Sequence, residues 1–251
     1  MTVDARLTLW NQMILAAALA RAGRDRMPDS HGEPASFCYT DTHAGSGRLP
    51  GPLPLLGRLD KRRKAFAVQS LFAALDQDPP EARHPGSWLL AARVLGQMGL
   101  WVEVDLNDID PQIVTEARAN REDGWVRTWT HDWFLFLRTR VAMTRKPDFV
   151  FIDPPPDDAR GPAYAIDAAI LLDALNVPYM VSYPALECQS CIDQIGRTGL
   201  ELIWEDGAAG VLLGGGAEGV LMEILPDLRL MAEILEGEFV TRLPRGGDYA
   251  I

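Results

Sequence analysis

Beyond residue 100 the chain alternates short apolar runs with helical stretches so regularly that few architectures can accommodate it. Runs at 101–106, 125–130, 148–152, 177–183 and 200–205 are rich in the β-branched and aromatic residues that favour strands, and 111–119, 133–141, 162–175 and 186–197 read as helices between them. Strands alternating with helices of about 10–15 residues imply a mostly parallel sheet covered on both faces. Four strand exits carry an aspartate: Asp41, Asp108, Asp132 and Asp153.

The first hundred residues are less regular. A helix is expected over 7–22, then a polar loop at 24–35, then the strand Ser36–Asp41 running into His43-Ala44-Gly45-Ser46-Gly47. Leu49-Pro50-Gly51-Pro52-Leu53-Pro54 breaks regular structure, residues 59–75 read as one helix, and Ser87 is the expected N-cap of a helix over 88–98 that Gly99 stops. Near the C-terminus, Gly214-Gly215-Gly216 reads as a helix-free turn into a strand at 220–225, giving an antiparallel edge, before a last helix at 227–236. With 251 residues, 47% of them hydrophobic, the chain is expected to form one domain over 1–251 with a helical insertion at about 48–83.

The net charge is −11, unevenly spread. Residues 201–251 hold ten acidic side chains against three basic ones, whereas Arg58, Lys61, Arg62, Arg63 and Lys64 form a dense basic cluster. Arg62 and Arg63 are therefore the expected contacts to a polyanion. Arg138, Arg140, Arg145 and Lys146 make a second, looser group. No apolar run approaches the roughly 20 residues of a membrane span, and Met13–Ala20 lacks the basic flank of a secretory signal. Three cysteines fit a reducing cytoplasm better than a disulfide framework, and Cys188-Gln189-Ser190-Cys191 reads as part of a helix.

The strand-tip carboxylates carry the chemistry. Asp41 stands four residues before Gly45, the arrangement with which methyltransferases serve their glycine loop and the charged amino-acid end of S-adenosylmethionine. A nicotinamide-binding loop would place a third glycine at position 50, which is Pro50. Asp108 follows the next strand and is suited to the two ribose hydroxyls; it lies 61 residues after Gly47, a gap the insertion accounts for. Asp110 is expected to cap the following helix and Asp105 to lie within its strand. Asp132, beside Trp133-Phe134, is suited both to the cofactor's adenine amino group and to capping the next helix.

Asp153-Pro154-Pro155-Pro156, after Phe149-Val150-Phe151-Ile152, is the most specific signal. The exocyclic amine of a base is a poor nucleophile because its lone pair is delocalised into the ring. A carboxylate and a backbone carbonyl that accept its two N–H bonds push it toward tetrahedral geometry, and Pro154, with restricted φ, aims such a carbonyl. Catalysis of this kind is positioning and needs no metal.

Asp41-Thr42-His43-Ala44-Gly45-Ser46-Gly47-Arg48, Pro85-Gly86-Ser87, Asp153-Pro154-Pro155 and Tyr183-Pro184 resemble, in that order, the bacterial large-subunit ribosomal RNA adenine-N6 methyltransferases of the RlmJ type over roughly residues 36–240. The resemblance implies a Rossmann-like, class I methyltransferase fold and ribosomal RNA as the partner. It implies that His43, Ser87, Asp108, Asp132 and Asp153 line the pocket for S-adenosylmethionine, with Asp153 also holding the target amine. The chain departs from the family pattern at three points. Pro156 replaces an aromatic residue that stacks on the extruded adenine, so another ring is needed, and Tyr164 is the first candidate. Asn11-Gln12 stand where the family has a Lys-His pair, and the charge balance is acidic. Two functions follow: a base amino-methyltransferase acting on RNA, or a methyltransferase-fold protein that binds a partner or cofactor without turnover.

Overall fold

The computed structural model describes residues 4–26, 35–49, 53–79, 83–121, 125–184 and 189–245. In chain order its elements are α1 (Ala5–Arg26), β1 (Ser36–Asp41), α2 (Leu56–Lys61), α3 (Ser70–Leu75), α4 (Ser87–Gln97), β2 (Trp101–Asn107), α5 (Pro111–Ala119), β3 (Trp125–Trp129), α6 (Trp133–Ala142), β4 (Phe149–Ile152), α7 (Gly161–Ala174), β5 (Tyr179–Tyr183), α8 (Gln189–Ile195), β6 (Gly199–Trp204), β7 (Gly207–Gly214), α9 (Leu221–Ile234) and β8 (Glu238–Arg242). Short 3-10 turns occupy Arg63–Ala65 and Ala217–Val220.

The strands form one sheet in the order β3-β2-β1-β4-β5-β7-β6-β8. The first five in sequence pair in parallel, and β7, β6 and β8 add antiparallel ladders. Because successive strand residues face opposite sides, β4 sends Phe149 and Phe151 into a core with α1, α4 and α9, and Val150 and Ile152 into a second core with α6 and α7. The same alternation sends Met180 to the first face and Tyr179, Val181 and Tyr183 to the second. Burial on both faces is why these strands read as unbroken apolar runs. The order reverses between β1 and β4, so a crevice opens beyond their C-terminal ends, where open α/β sheets hold ligands.

Four expectations are corrected. The single helix at 59–75 is two helices, α2 and α3: the buried carboxylate of Asp227 on α9 accepts the backbone N–H groups of Ala67 (3.0 Å) and Val68 (2.7 Å), which draws the chain out of a helical path. The strand at 220–225 is the start of α9, whose Ile224, Leu228 and Met231 meet the first core at helical spacing on both sides of Pro226. The antiparallel strand is instead β7, hidden by its glycines; a Cβ at Gly210 would lie 2.3 Å from the Tyr183 ring and one at Gly214 would lie 2.2 Å from Tyr179. Ser87 does not cap α4; Gly86 holds the cap position and Ser87 opens the helix.

Asp110 and Asp132 do cap α5 and α6, and Asp105 lies inside β2. Residues 186–188 of the expected helix, including Cys188, lie outside the described residues, as does the 50–52 part of the expected breaker. No helix among the described residues is long and apolar enough to cross a membrane.

Candidate functional site

The site begins where β1 ends. The buried Asp41 receives the Ser87 hydroxyl at 2.6 Å, the Tyr39 hydroxyl at 3.1 Å and the His43 backbone N–H at 3.1 Å. Burial raises its pKa to about 7; the three donors oppose that shift and the neighbouring Asp153 carboxylate adds to it. The loop after it is pinned on both sides. Thr42 N–H bonds to the Phe151 carbonyl and Ala44 N–H to that of Asn107, while Gly86 N–H bonds to the Gly47 carbonyl and Leu49 N–H to that of His84. Gly47 has φ +83°, and a Cβ there would come within 2.2 Å of the Trp88 indole. Gly45 has φ +58° and nothing within 4 Å of where its Cβ would be, so the backbone there faces open space.

Two more strand tips converge on this loop. One oxygen of Asp108 accepts the Gly45 N–H at 3.2 Å and the other accepts the Asp110 N–H at 3.0 Å. Each oxygen keeps a lone pair for a ligand hydroxyl. Asn107, which the sequence reading passed over, stitches the strand ends together: its amide donates to the carbonyls of Thr42 (3.2 Å) and His131 (3.1 Å) and accepts the His131 N–H at 3.1 Å. Asp132 accepts from Phe134 and Leu135 N–H through one oxygen and pairs with Arg160 through the other at 3.2 Å.

His43 Nδ1 lies 2.8 Å from Thr42 Oγ1, which also lies 3.2 Å from the Phe151 carbonyl. Nε2 is buried and without a partner. Burial lowers the imidazole to about 4, against the pull of Asp158 and Asp132, so the ring is neutral near pH 7. Its centroid lies 5.1 Å from that of Trp133.

Asp153 stands beside Asp41 across the switch point, and burial raises its carboxyl while a hydrogen bond from Ser182 lowers it. Ser182 in turn accepts Asn11 Nδ2 at 2.9 Å, which brings α1 to the site. The next residue, Gln12, donates to the Pro85 carbonyl at 2.7 Å and accepts from the His84 ring at 2.6 Å. Both side chains are buried in an otherwise apolar stretch, Leu9 to Leu19, and a polar pair within such a stretch was the sequence signal for their role.

Beyond Asp153 a cavity of about 90 Å³ opens between the loop after β4, α7, β5 and α8, walled by Pro154, Pro156, Asp158, Ile166, Ser182 and Tyr183 among others. Pro156 lines this cavity. Tyr164 does not reach this cavity. Its ring stacks on Phe134 (centroids 4.7 Å apart, 16° between planes), under the Arg160 guanidinium and next to Asp132. The basic cluster is occupied as well: Arg58 pairs with Glu236, Arg62 with Glu233 at 2.6 Å, and Arg63 with Asp60 at 3.2 Å and with Asp76. Of the second cluster, Arg140 is buried against Asp105 and Cys38, and Arg145 pairs with Glu103.

No family model and no curated protein sequence matches the chain. Among solved structures it is similar to protein LPL1258 from Legionella pneumophila, described under family model DUF519, with a TM-score of 0.69 at 14% identity over 94% of this chain and 97% of that one. It is also similar to human methyltransferase-like protein 13 in complex with SAH (TM-score 0.46, 13% identity, 96% and 95% covered) and to an rRNA methylase from Streptococcus thermophilus (TM-score 0.39, 8% identity, 77% and 91% covered). The fold is Rossmann-like, a mostly parallel sheet with antiparallel strands at one side, and it is shared with that Legionella protein.

Proposed function

We propose that the chain is an S-adenosylmethionine-dependent methyltransferase acting on the exocyclic amino group of a nucleic-acid base, with adenine N6 of ribosomal RNA as its substrate. The observation that carries the reading is the convergence of Asp41, the open Gly45 backbone and Asp108 beside the Asp153-Pro154 strand exit at the switch point. Carboxylates placed there suit a cation, and the cofactor brings an ammonium and a sulfonium. The residues present fit it. Open backbone faces Gly45, Asp108 has lone pairs for the ribose hydroxyls, and Asp132 beside Phe134 suits the adenine. Ser87 fixes the Asp41 carboxylate, and the buried, unpartnered Nε2 of His43 is open to a hydrogen bond with a ligand.

When bound, the cofactor supplies an electrophilic methyl group. Asp153 and the Pro154 carbonyl accept the two N–H bonds of the target amine, localise its lone pair and aim it along the line of transfer. Were the methyl transferred, its S–C bond breaking as the N–C bond formed, the amine nitrogen would shed one proton, and Asp153, whose carboxyl burial raises, stands to receive it.

A second reading, a methyltransferase-fold protein that binds without turnover, is favoured by one observation. Arg58, Arg62 and Arg63 are paired with the chain's own carboxylates rather than presented to phosphates. Calorimetric titration with S-adenosylmethionine, followed by tritiated-methyl transfer to ribosomal RNA stripped of native methylation, separates the two. Binding with transfer supports the enzyme; binding without transfer to ribosomal RNA, transfer RNA or single-stranded DNA supports the second reading.

A further inference from the structure

We infer that Arg160, at the end of the loop after β4, holds a phosphate of the substrate strand on the Asp153 side of the crevice. The inference rests on the nucleic-acid methyltransferase reading and deepens it, since it names the group that receives the backbone there. From Pro147 to Gly196 the sequence has eight acidic residues and one basic one, Arg160. Asp157 and Asp158 stand on the same loop, and Asp132 meets it from the exit of β3. A polyanion approaching this rim is repelled by three carboxylates and attracted by one guanidinium.

That guanidinium is set in place before any ligand arrives. Asp158 accepts the Arg160 backbone N–H at 3.0 Å, and its other oxygen accepts the Trp133 indole N–H at 3.2 Å, which ties the loop to α6. The guanidinium carbon lies 5.3 Å from the centroid of the Tyr164 ring, itself stacked on Phe134, and Nη2 donates to Asp132 at 3.2 Å. Nε is 3.7 Å from Asp158, beyond hydrogen-bond reach. Among the described residues, then, one of its five side-chain N–H donors makes a hydrogen bond, and the side chain is 60% exposed. Arg63, by contrast, makes three hydrogen bonds to Asp60 and Asp76. An ion pair as exposed as that of Arg160 with Asp132 holds weakly, so the carboxylate does not withhold the guanidinium from a phosphate. A planar fork laid on a ring, with donors to spare, matches the paired oxygens of a phosphodiester. Stacking also lowers the ordering entropy lost when the phosphate binds.

The test uses the full chain saturated with S-adenosylhomocysteine and a short fluorescein-labelled single-stranded RNA, titrated by anisotropy over a series of salt concentrations. Arg160→Ala should weaken RNA binding and make the slope of log affinity against log salt shallower by about 0.7, the share of one phosphate on a single strand. Arg160→Lys should keep the slope and lose less affinity, since it keeps the charge without the fork. S-adenosylhomocysteine affinity should hold in both, because the Phe134 and Leu135 N–H groups still fix Asp132. If Arg160→Ala does not fold, Arg160→Gln is read in its place. A slope equal to the parent's, at whatever affinity, overturns the inference and leaves the methyltransferase reading standing. If S-adenosylhomocysteine affinity falls as well while that slope holds, Arg160 belongs to the cofactor side. A parent that binds S-adenosylhomocysteine but no RNA overturns both. Arg160-dependent binding of polyglutamate in place of RNA overturns the phosphate in favour of a carboxylate ligand.

Discussion

Ser87 Oγ lies 2.6 Å from Asp41 Oδ2, so the first residue of α4 holds the carboxylate at the tip of β1. The hydroxyl has left the position where a serine ordinarily caps a helix, and Gly86 takes that place because its own N–H must bond the Gly47 carbonyl. One short segment, Pro85-Gly86-Ser87, therefore closes the glycine loop and orients the carboxylate behind it. Gln12 and His84 brace the same segment from α1.

That carboxylate predicts how cofactor affinity depends on pH. Burial first, then Asp153, raises Asp41 to about 7. The folded chain without ligand therefore favours the protonated form, and this contribution to stability is lost as pH rises through about 7. A cationic ligand needs the ionised form. S-adenosylmethionine affinity should fall toward tenfold per unit below pH 7, about one proton being released per cofactor bound, and level off above it. Titration calorimetry in buffers of different ionisation enthalpy measures that proton. Asp41→Asn should flatten the profile as well as weaken binding, and a parent profile that is already flat would place the cation elsewhere.

Asp108 makes a separate prediction. Asp108→Ala removes the acceptors offered to the ribose and also the anchor of Gly45 N–H. Charge-assisted hydrogen bonds contribute roughly 1.5–3 kcal/mol, so affinity for S-adenosylhomocysteine should drop at least about tenfold. A calorimetric constant equal to the parent's would mean the ribose lies elsewhere.

The basic rim gives a prediction about RNA. Arg62 and Arg63 are exposed enough that their ion pairs are worth only about 0–1 kcal/mol, so phosphates can displace the carboxylates. Arg62→Glu with Arg63→Glu should weaken RNA binding and reduce its salt dependence while cofactor affinity stays. Glu233→Gln should do the reverse, strengthening binding by freeing Arg62. RNA affinity indifferent to both changes and to salt would leave the cluster a paired surface with no ligand.

The parallel half of the fold was legible because its central strands are buried on both faces and four of its five strand exits carry an aspartate. Residues 36–183 needed no correction to a strand. The antiparallel half was misread for a physical reason: β7 is Gly-Ala-Ala-Gly-Val-Leu-Leu-Gly, and its glycines make room for Tyr179 and Tyr183 of β5 instead of forming a turn. Only a partner strand reveals that. In the same way, the helix break at 66–69 depends on Asp227, some 160 residues away in sequence. At the site, the motif residues around Asp41, Gly45 and Asp153 were visible as local patterns. Asn107 and Ser182 were not, because each acts by bridging elements that only the fold brings together.

The relay from Asn11 through Ser182 to Asp153 makes the last prediction. Ser182 Oγ accepts Asn11 Nδ2, and the Ser182 hydroxyl lowers the Asp153 carboxyl that burial drives up. Ser182→Ala removes the bond, and the Asp153 pKa should climb further. The ionised form is the one that accepts the target amine, so the rising limb of the methyl-transfer pH profile should move to higher pH. Rate at neutral pH should fall while S-adenosylhomocysteine affinity changes little. Asn11→Leu, which leaves the Ser182 hydroxyl unoriented, should shift the limb in the same direction by less, and Ser182→Thr should restore most of it. A helix merely packed against the sheet would lower stability without moving the limb. Profiles for Ser182→Ala and Asn11→Leu that superimpose on the parent after scaling would therefore remove α1 from the catalytic arrangement.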